Sequence, residues 1–190
     1  MELRLEAERS GDCESEWLAR PVSELAAHIT AVYHERTRDV LPRIIALVSG
    51  ETSAFGEAHT LHLRGLVAIL TELRDEVDTH AWTEDDLLFP VLVAHEHPDV
   101  LTTRLTADAL ENLVDMLAAE HVRIRRVLGR LARHVENAPG AQFSSEWADV
   151  RHALMTLREH LLEELDLEDR CLLPRARVIA ELERSVNRSG

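Results

Sequence analysis

The sequence has no lysine, a single tyrosine, three phenylalanines, three tryptophans and only two cysteines. Each shortage removes a class of protein. Cys13 and Cys171 lie far apart in the chain, which argues against a disulfide framework and for reduced thiols. No apolar run approaches the ~20 residues of a membrane span. The opening MELRLEAERS, acidic and interrupted, has the composition of neither a secretory signal nor a transit peptide, so a cytoplasmic protein without a membrane partner is expected. Aromatics are few and sustained two-residue alternation is missing, which leaves nothing to support strands. The Glu-x-x-His spacing used by ferritin-like bundles is absent as well.

What the chain does have is acid, histidine and helix formers. With 190 residues, 45% of them hydrophobic, it can bury the core of one domain or a tight pair. Thirty-five acids against 21 basic residues give a net charge of −14, which repels phosphate backbones, excludes nucleic acid as the main partner and accommodates cations. All the basic residues are arginine; together with abundant Ala, Leu and Val this is what a GC-rich bacterial genome encodes. The 11 histidines are a high count that matters only if position selects some of them.

Turn signals at Gly50 to Gly56, His97-Pro98-Asp99 and Ala138-Pro139-Gly140 divide helix-compatible sequence into segments of about 22–49, 58–96, 104–137 and 145–186. The expectation is all-α: an up-down four-helix bundle over residues 21–187 after an N-terminal extension of 1–20, with kinks at Pro42 and Pro90. Steps of three and four mark the buried seams. The first segment offers Ala27, Ala31, His34, Leu41 and Ile45; the second Leu66, Ile69, Leu73, Glu76, His80, Glu84, Leu87 and Val91. The third has Leu110, Val114, Leu117, His121, Ile124, Leu128 and Leu131; the fourth Trp147, Val150, Leu154, Leu157, Leu161, Glu164, Glu168 and Cys171. Every seam carries imidazole or carboxylate where packing wants leucine.

In an up-down bundle the turn joining two facing residues lies midway between them in sequence. His34 and His80/Glu84 average to 58, His80/Glu84 and His121 to just past 101, and His121 and Glu164/Glu168 to just past 143, all at or near turn signals. The polar groups therefore share one layer. An internal repeat supports this. HERTRDVL at 34–41 and HVRIRRVL at 121–128 share H-x-R-x-R-x-V-L, and HAWTEDDLLFP at 80–90 aligns with ELDLEDRCLLP at 164–174. Each hairpin gives one His from its first helix and, from its second, a pair four residues apart, about 6 Å along the axis. Burying such groups uncompensated costs several kcal/mol per ion. Cations in the layer remove the conflict, and this donor set suits iron, manganese or zinc more than calcium. Two metal ions bridged by Glu84 and Glu168 fit the duplication.

The stretches YHERTRDVLP, HAWTEDDLLFP, the Glu120-His121 pair and LEDRCLLPRA resemble the hemerythrin-like, HHE cation-binding proteins, and among them the Repair of Iron Centers family, over about residues 17–176. That resemblance implies a non-haem di-iron centre, oxo- or hydroxo-bridged, with His34, His80, Glu84, His121 and Glu168 as ligands, and Glu76 and Glu120 as nearby acids able to relay protons. It also implies binding of, or reaction with, dioxygen, nitric oxide or peroxide in oxidative or nitrosative stress defence, with a link to iron–sulfur cluster repair. Iron storage or donation, or sensing, without turnover is the alternative, and zinc or manganese can substitute by ligand type. The chain departs from the family in two ways. No paired-cysteine motif precedes the bundle, and Glu164 stands where the family has a His. Glu164 is expected to be the sixth protein ligand, with His160, one turn earlier, as the competitor.

Overall fold

In the computed structural model, described over residues 16–51, 57–97, 99, 105–138 and 145–189, helix is the only regular structure among those residues. Four arms result. The first is α1 (Val22–Ile29) and α2 (Glu35–Glu51), joined by a π-helical turn, Thr30–His34. The second is α3 (Glu57–Thr83) and α4 (Phe89–Glu96), joined by the π turn Glu84–Leu88. The third, α5 (Ala107–Glu136), is unbroken. The fourth is α6 (Ser145–Leu167) and α7 (Leu173–Ser189), joined by the π turn Glu168–Leu172.

The start of the first arm, α1, packs on the end of the second, α4, and α2 packs on α3, so these arms run antiparallel. α5 packs on α3, α6 and α7, and α6 closes the ring against α2. The protein is the all-α bundle expected, and no helix among the described residues is long and apolar enough to cross a membrane. Gly50 lies inside α2, whereas Gly56, Pro98 and Pro139-Gly140 fall outside the described residues, as does Cys13.

Helix ends are held by two devices. The Thr106 hydroxyl accepts the Ala109 N–H at 3.2 Å and caps α5 from its own sequence. α1 has Pro21 at its N-cap and no side-chain cap of its own. Glu96, the last residue of α4, supplies one from across the bundle by accepting the N–H groups of Val22 and Ser23, and Arg175 of α7 steadies it at 3.5 Å.

Two of the three π turns, those of the first and second arms, revise the expected seams. Along unbroken α5 the stripe Leu110, Val114, Leu117, His121, Ile124, Leu128 and Leu131 is buried throughout. On the far side of a π turn it is not. Ala27 and Ala31 are exposed while Val22, Leu25, Ala26 and Ile29 form the core; Leu87 is 38% exposed while Leu88 and Leu92 are fully buried. Ile44 likewise packs more deeply than Ile45. A π turn adds a residue to the ladder, and one residue is about 100° of rotation, so the buried face shifts by one position.

Pro42 lies inside continuous α2, and the break in the second arm precedes Pro90. Pro90 and Pro174 each follow a π turn as the second residue of the next helix, six residues after Glu84 and Glu168 respectively.

The apolar side chains collect in two clusters. One, at the hairpin end, gathers Leu41, Leu66, Leu70, Leu73, Ile124, Leu128, Leu154 and Leu161 with their neighbours. The other gathers Val22, Leu25, Ile29, Leu88, Leu92, Leu110, Leu117, Cys171 and Leu172. Cys171 is thus packing, as its seam position implied. The π turns lie at the junction between the clusters.

Candidate metal centre

The junction is polar. His34 comes from the first arm, His80 and Glu84 from the second, His121 from the third, Glu164 and Glu168 from the fourth, and none is more than 4% exposed. His34 Nε2 stands 3.3 Å from both Glu84 Oε2 and Glu164 Oε1. His80 Nε2 and His121 Nε2 stand 3.2 and 3.1 Å from the same atom, Glu168 Oε2. Glu84 Oε2 is 3.9 Å from His80 Nε2. Two triads, His80–His121–Glu168 and His34–Glu84–Glu168, each bring three donor atoms within 4.8 Å of one another, and Glu168 belongs to both.

Each outer imidazole is held from behind by the same construction. His34 donates Nδ1–H to Asp85 Oδ1 at 3.0 Å, and Asp85 also accepts from Thr30 at 2.9 Å and from Arg38 at 2.7 Å. In the second hairpin His121 donates Nδ1–H to Asp169 Oδ1 at 2.7 Å, and Arg125 lies 2.8 Å from Asp169 Oδ2. Histidine, the arginine four residues later and the aspartate next to the shared-layer glutamate recur in both halves. Fixing Nδ1 in this way aims Nε2 at the centre of the layer and makes it the donor atom. Sequence reasoning passed over Asp85 and Asp169. Their signal was the Glu-Asp pair kept in both HAWTEDDLLFP and ELDLEDRCLLP.

The halves differ elsewhere. Where the first hairpin has His80 the second has Glu164, and where the second has Glu120 before its histidine the first has Tyr33. His80 donates Nδ1–H to buried Glu120 at 3.3 Å. Arg123 lies 3.5 Å from Glu120 and 3.1 Å from Glu76, whose side chain is partly exposed. Of the two expected proton-relay acids, then, Glu120 adjoins the layer and Glu76 reaches it through Arg123.

Left to itself the layer is held by protons. Burial depresses the His34 pKa, but the Glu164 and Glu84 carboxylates, each 3.3 Å from its Nε2, outweigh it and lift the imidazole to about 10. His121 rises to about 9 against the same burial cost through Asp169 and Glu168, and His80 rises through Glu84, Glu168 and Glu120. Burial and the Glu168 charge push Glu84 up, and burial pushes Glu164 up. Glu168, between two imidazoles, is pulled down despite its burial.

Protons nevertheless leave the site unsatisfied. His34 Nε2, His121 Nε2, both Glu84 oxygens and Glu168 Oε1 are buried with no hydrogen-bond partner. Orphaned polar atoms of this kind are costly and uncommon. Here they are the very atoms that face the middle of the layer, and nitrogen and carboxylate oxygen are the donors that iron, zinc and manganese take. The residues fit a metal pair.

The remaining histidines stand apart. His160 packs its ring on Tyr33 at 4.8 Å, and it is Glu164 that stands in the layer, 3.3 Å from His34 Nε2. His28 packs between Trp17 and Tyr33. His95 lies 3.7 Å from Glu183. His62 and His134 stack at 4.0 Å with His134 Nε2 bonded to the His62 carbonyl, a contact that the missing side chain of Gly65 permits.

Residues 25–111 match the hemerythrin HHE cation binding domain, a range that holds His34, His80 and Glu84. Over that range the chain is similar to hemerythrin-type cation-binding domains. It is similar to the iron-sulfur cluster repair protein YtfE of Escherichia coli O1:K1 and to its namesake in Escherichia fergusonii, in each case 24% identical over 165 residues, 86% of this chain and 70% of the relative. The resemblance carried by the quoted motifs, to hemerythrin-like proteins and among them to those that repair iron centres, is found again by whole-chain comparison.

Proposed function

We propose that the chain holds two iron ions in this layer and binds or reacts with dioxygen, nitric oxide or peroxide in bacterial stress defence, in the cytoplasm, with a link to iron–sulfur cluster repair. The observation that carries the reading is the sharing of Glu168 between two donor triads. In it His80, His121 and Glu168 would hold one ion and His34, Glu84 and Glu164 the other, with Glu168 common to both donor triads. Residues 21–187 form the bundle and 1–20 an extension to it. When bound, such iron supplies one-electron chemistry and a position for a small ligand.

The chain's own groups do the rest. Asp85 and Asp169 fix the imidazoles. The two apolar clusters above and below exclude water. Glu120, 3.3 Å from His80 Nδ1, is placed to take or give a proton, and Glu76 is the outer acid, steered by the fixed charge of Arg123.

The relatives' name favours a second reading, in which the protein hands iron to a damaged cluster without turnover. Protein reconstituted with ferrous iron under anaerobic conditions and mixed with dioxygen, nitric oxide or peroxide separates the two. Spectral change with repeated consumption of the small molecule supports the first. Iron lost one-for-one to a competing chelator with no consumption supports the second. Iron-loaded protein inert to all three molecules and to the chelator contradicts both.

A further inference from the structure

A cavity of about 10 Å³ adjoins the layer between α2, α3 and α6, room for the centre of about one water-sized molecule. Its inner wall is His34, His80 and Glu164, its sides include Ala81 and Leu161, and its lining continues to the exposed Arg38 and Asp78. One further polar group faces it. Thr37 is 6% exposed, lines the cavity, and its hydroxyl is buried without a hydrogen-bond partner.

That vacancy is unusual for a helical threonine. The hydroxyls of Thr71, Thr79 and Thr83 each donate to the carbonyl four residues back, at 2.9, 2.8 and 2.9 Å. For Thr37 that carbonyl belongs to Tyr33, and the Thr37 hydroxyl makes no such bond. The duplication adds a contrast. Thr37 in HERTR corresponds to Ile124 in HVRIR, which lines the same cavity and is 1% exposed. An apolar side chain satisfies this position in one half; the other half keeps a hydroxyl whose burial costs free energy unless something in the cavity accepts its proton.

We infer that Thr37 is a hydrogen-bond donor to a small ligand held against the metal pair in this cavity, one of two or three atoms with an acceptor at its outer end. The inference rests on the proposed metal pair and adds which face the ligand occupies and what orients it. Glu164, on the same wall, is the neighbouring anion, so a single donor favours a neutral or singly charged ligand over a larger oxyanion.

The test uses nitric oxide on the full chain reconstituted with ferrous iron. Thr37→Val, which keeps the shape and removes the donor, is expected to take up the same iron, to shift the N–O stretching frequency of the adduct, and to release nitric oxide about tenfold faster, the loss of about one hydrogen bond. Thr37→Ser is expected to restore both values. Metal-free Thr37→Val is expected to melt no lower than wild type, because it removes a hydroxyl that had no partner. An unchanged frequency and release rate at full iron content overturns the role of Thr37 alone, and so does a lower melting temperature of the metal-free variant. Wild-type protein that takes up no iron overturns the metal-pair reading itself.

Discussion

A buried imidazole offers one nitrogen well only when the other is committed, and in this layer the commitments of His34 and His121 are carboxylates: Asp85 and Asp169. Each aspartate is itself held below its usual pKa by its arginine and histidine partners in spite of partial burial, so each stays anionic. Asp85→Asn or Asp169→Asn should therefore weaken metal binding by about 10–100-fold without loss of helix, measured by competition with a chromophoric chelator and by circular dichroism. Neither residue stood out in the sequence. Both lie one position off the α-helical seam, and only the repeated Glu-Asp pair signalled them; the seam residues His34, His80, His121 and Glu168 were legible because helical spacing alone selects them. Glu164 tests the asymmetry of the halves. Exchanging its carboxylate for the imidazole of the sister position, Glu164→His, should keep two metals and raise the reduction potential, since one anionic donor is lost. An unchanged potential by spectroelectrochemistry would place Glu164 outside the coordination.

The helical elements explain where sequence periodicity succeeds and where it fails. α5 has no π turn and its buried face is read correctly from Leu110 to Leu131. In the second arm the pattern holds at His80 and Glu84 and is one residue out beyond the π turn, while in the first arm it holds at His34 and Leu41 and fails before the turn, at Ala27, because spacing in sequence carries no mark of a wider turn. Two of the three π turns begin at Glu84 and Glu168, and the other ends at His34, so the wide turns set the azimuth of the polar layer against the second apolar cluster. Deleting exposed Leu87 should convert the wide turn to α-helix and move Leu88 and Leu92 onto the seam positions that Leu87 and Val91 hold in the sequence, so both stay in the core. Metal-free protein should then lose under about 1 kcal/mol in urea unfolding. A loss of about 3–6 kcal/mol, two leucines' worth of burial, would mean that the added residue is not what shifts the face.

The cap on α1 gives a pH dependence. Burial raises the Glu96 pKa, but the N–H groups of Ser23 and Val22 and the charge of Arg175 bring it below 4.5 in the folded protein. Its contribution is therefore present above pH 4.5 and lost as pH falls through the depressed value. Glu96→Gln should cost about 1 kcal/mol at pH 7 and nothing once wild-type Glu96 is protonated, as read from urea midpoints across that range.

At the scale of the molecule the design is two apolar clusters with a polar layer between them, and that layer was legible from loop positions alone: arms of similar length joined by turns bring His34, His80, His121 and Glu168 to one height. What the turns could not reveal is the sharing of Glu168 by both triads, which needs three-dimensional placement of Oε2 between His80 and His121. Metal binding to the folded chain should raise its melting temperature by about 5–10 °C at a hundredfold excess over Kd, and a chelator should reverse the shift. Calorimetry with and without chelator checks this. The most direct test of the central claim is the metal content of purified, iron-reconstituted protein by elemental analysis, wild type beside Glu168→Ala and His28→Ala. The account predicts two irons per chain in wild type and in His28→Ala, and fewer than one in Glu168→Ala. One iron per chain in wild type, or undiminished iron in Glu168→Ala, would contradict a metal pair built around Glu168.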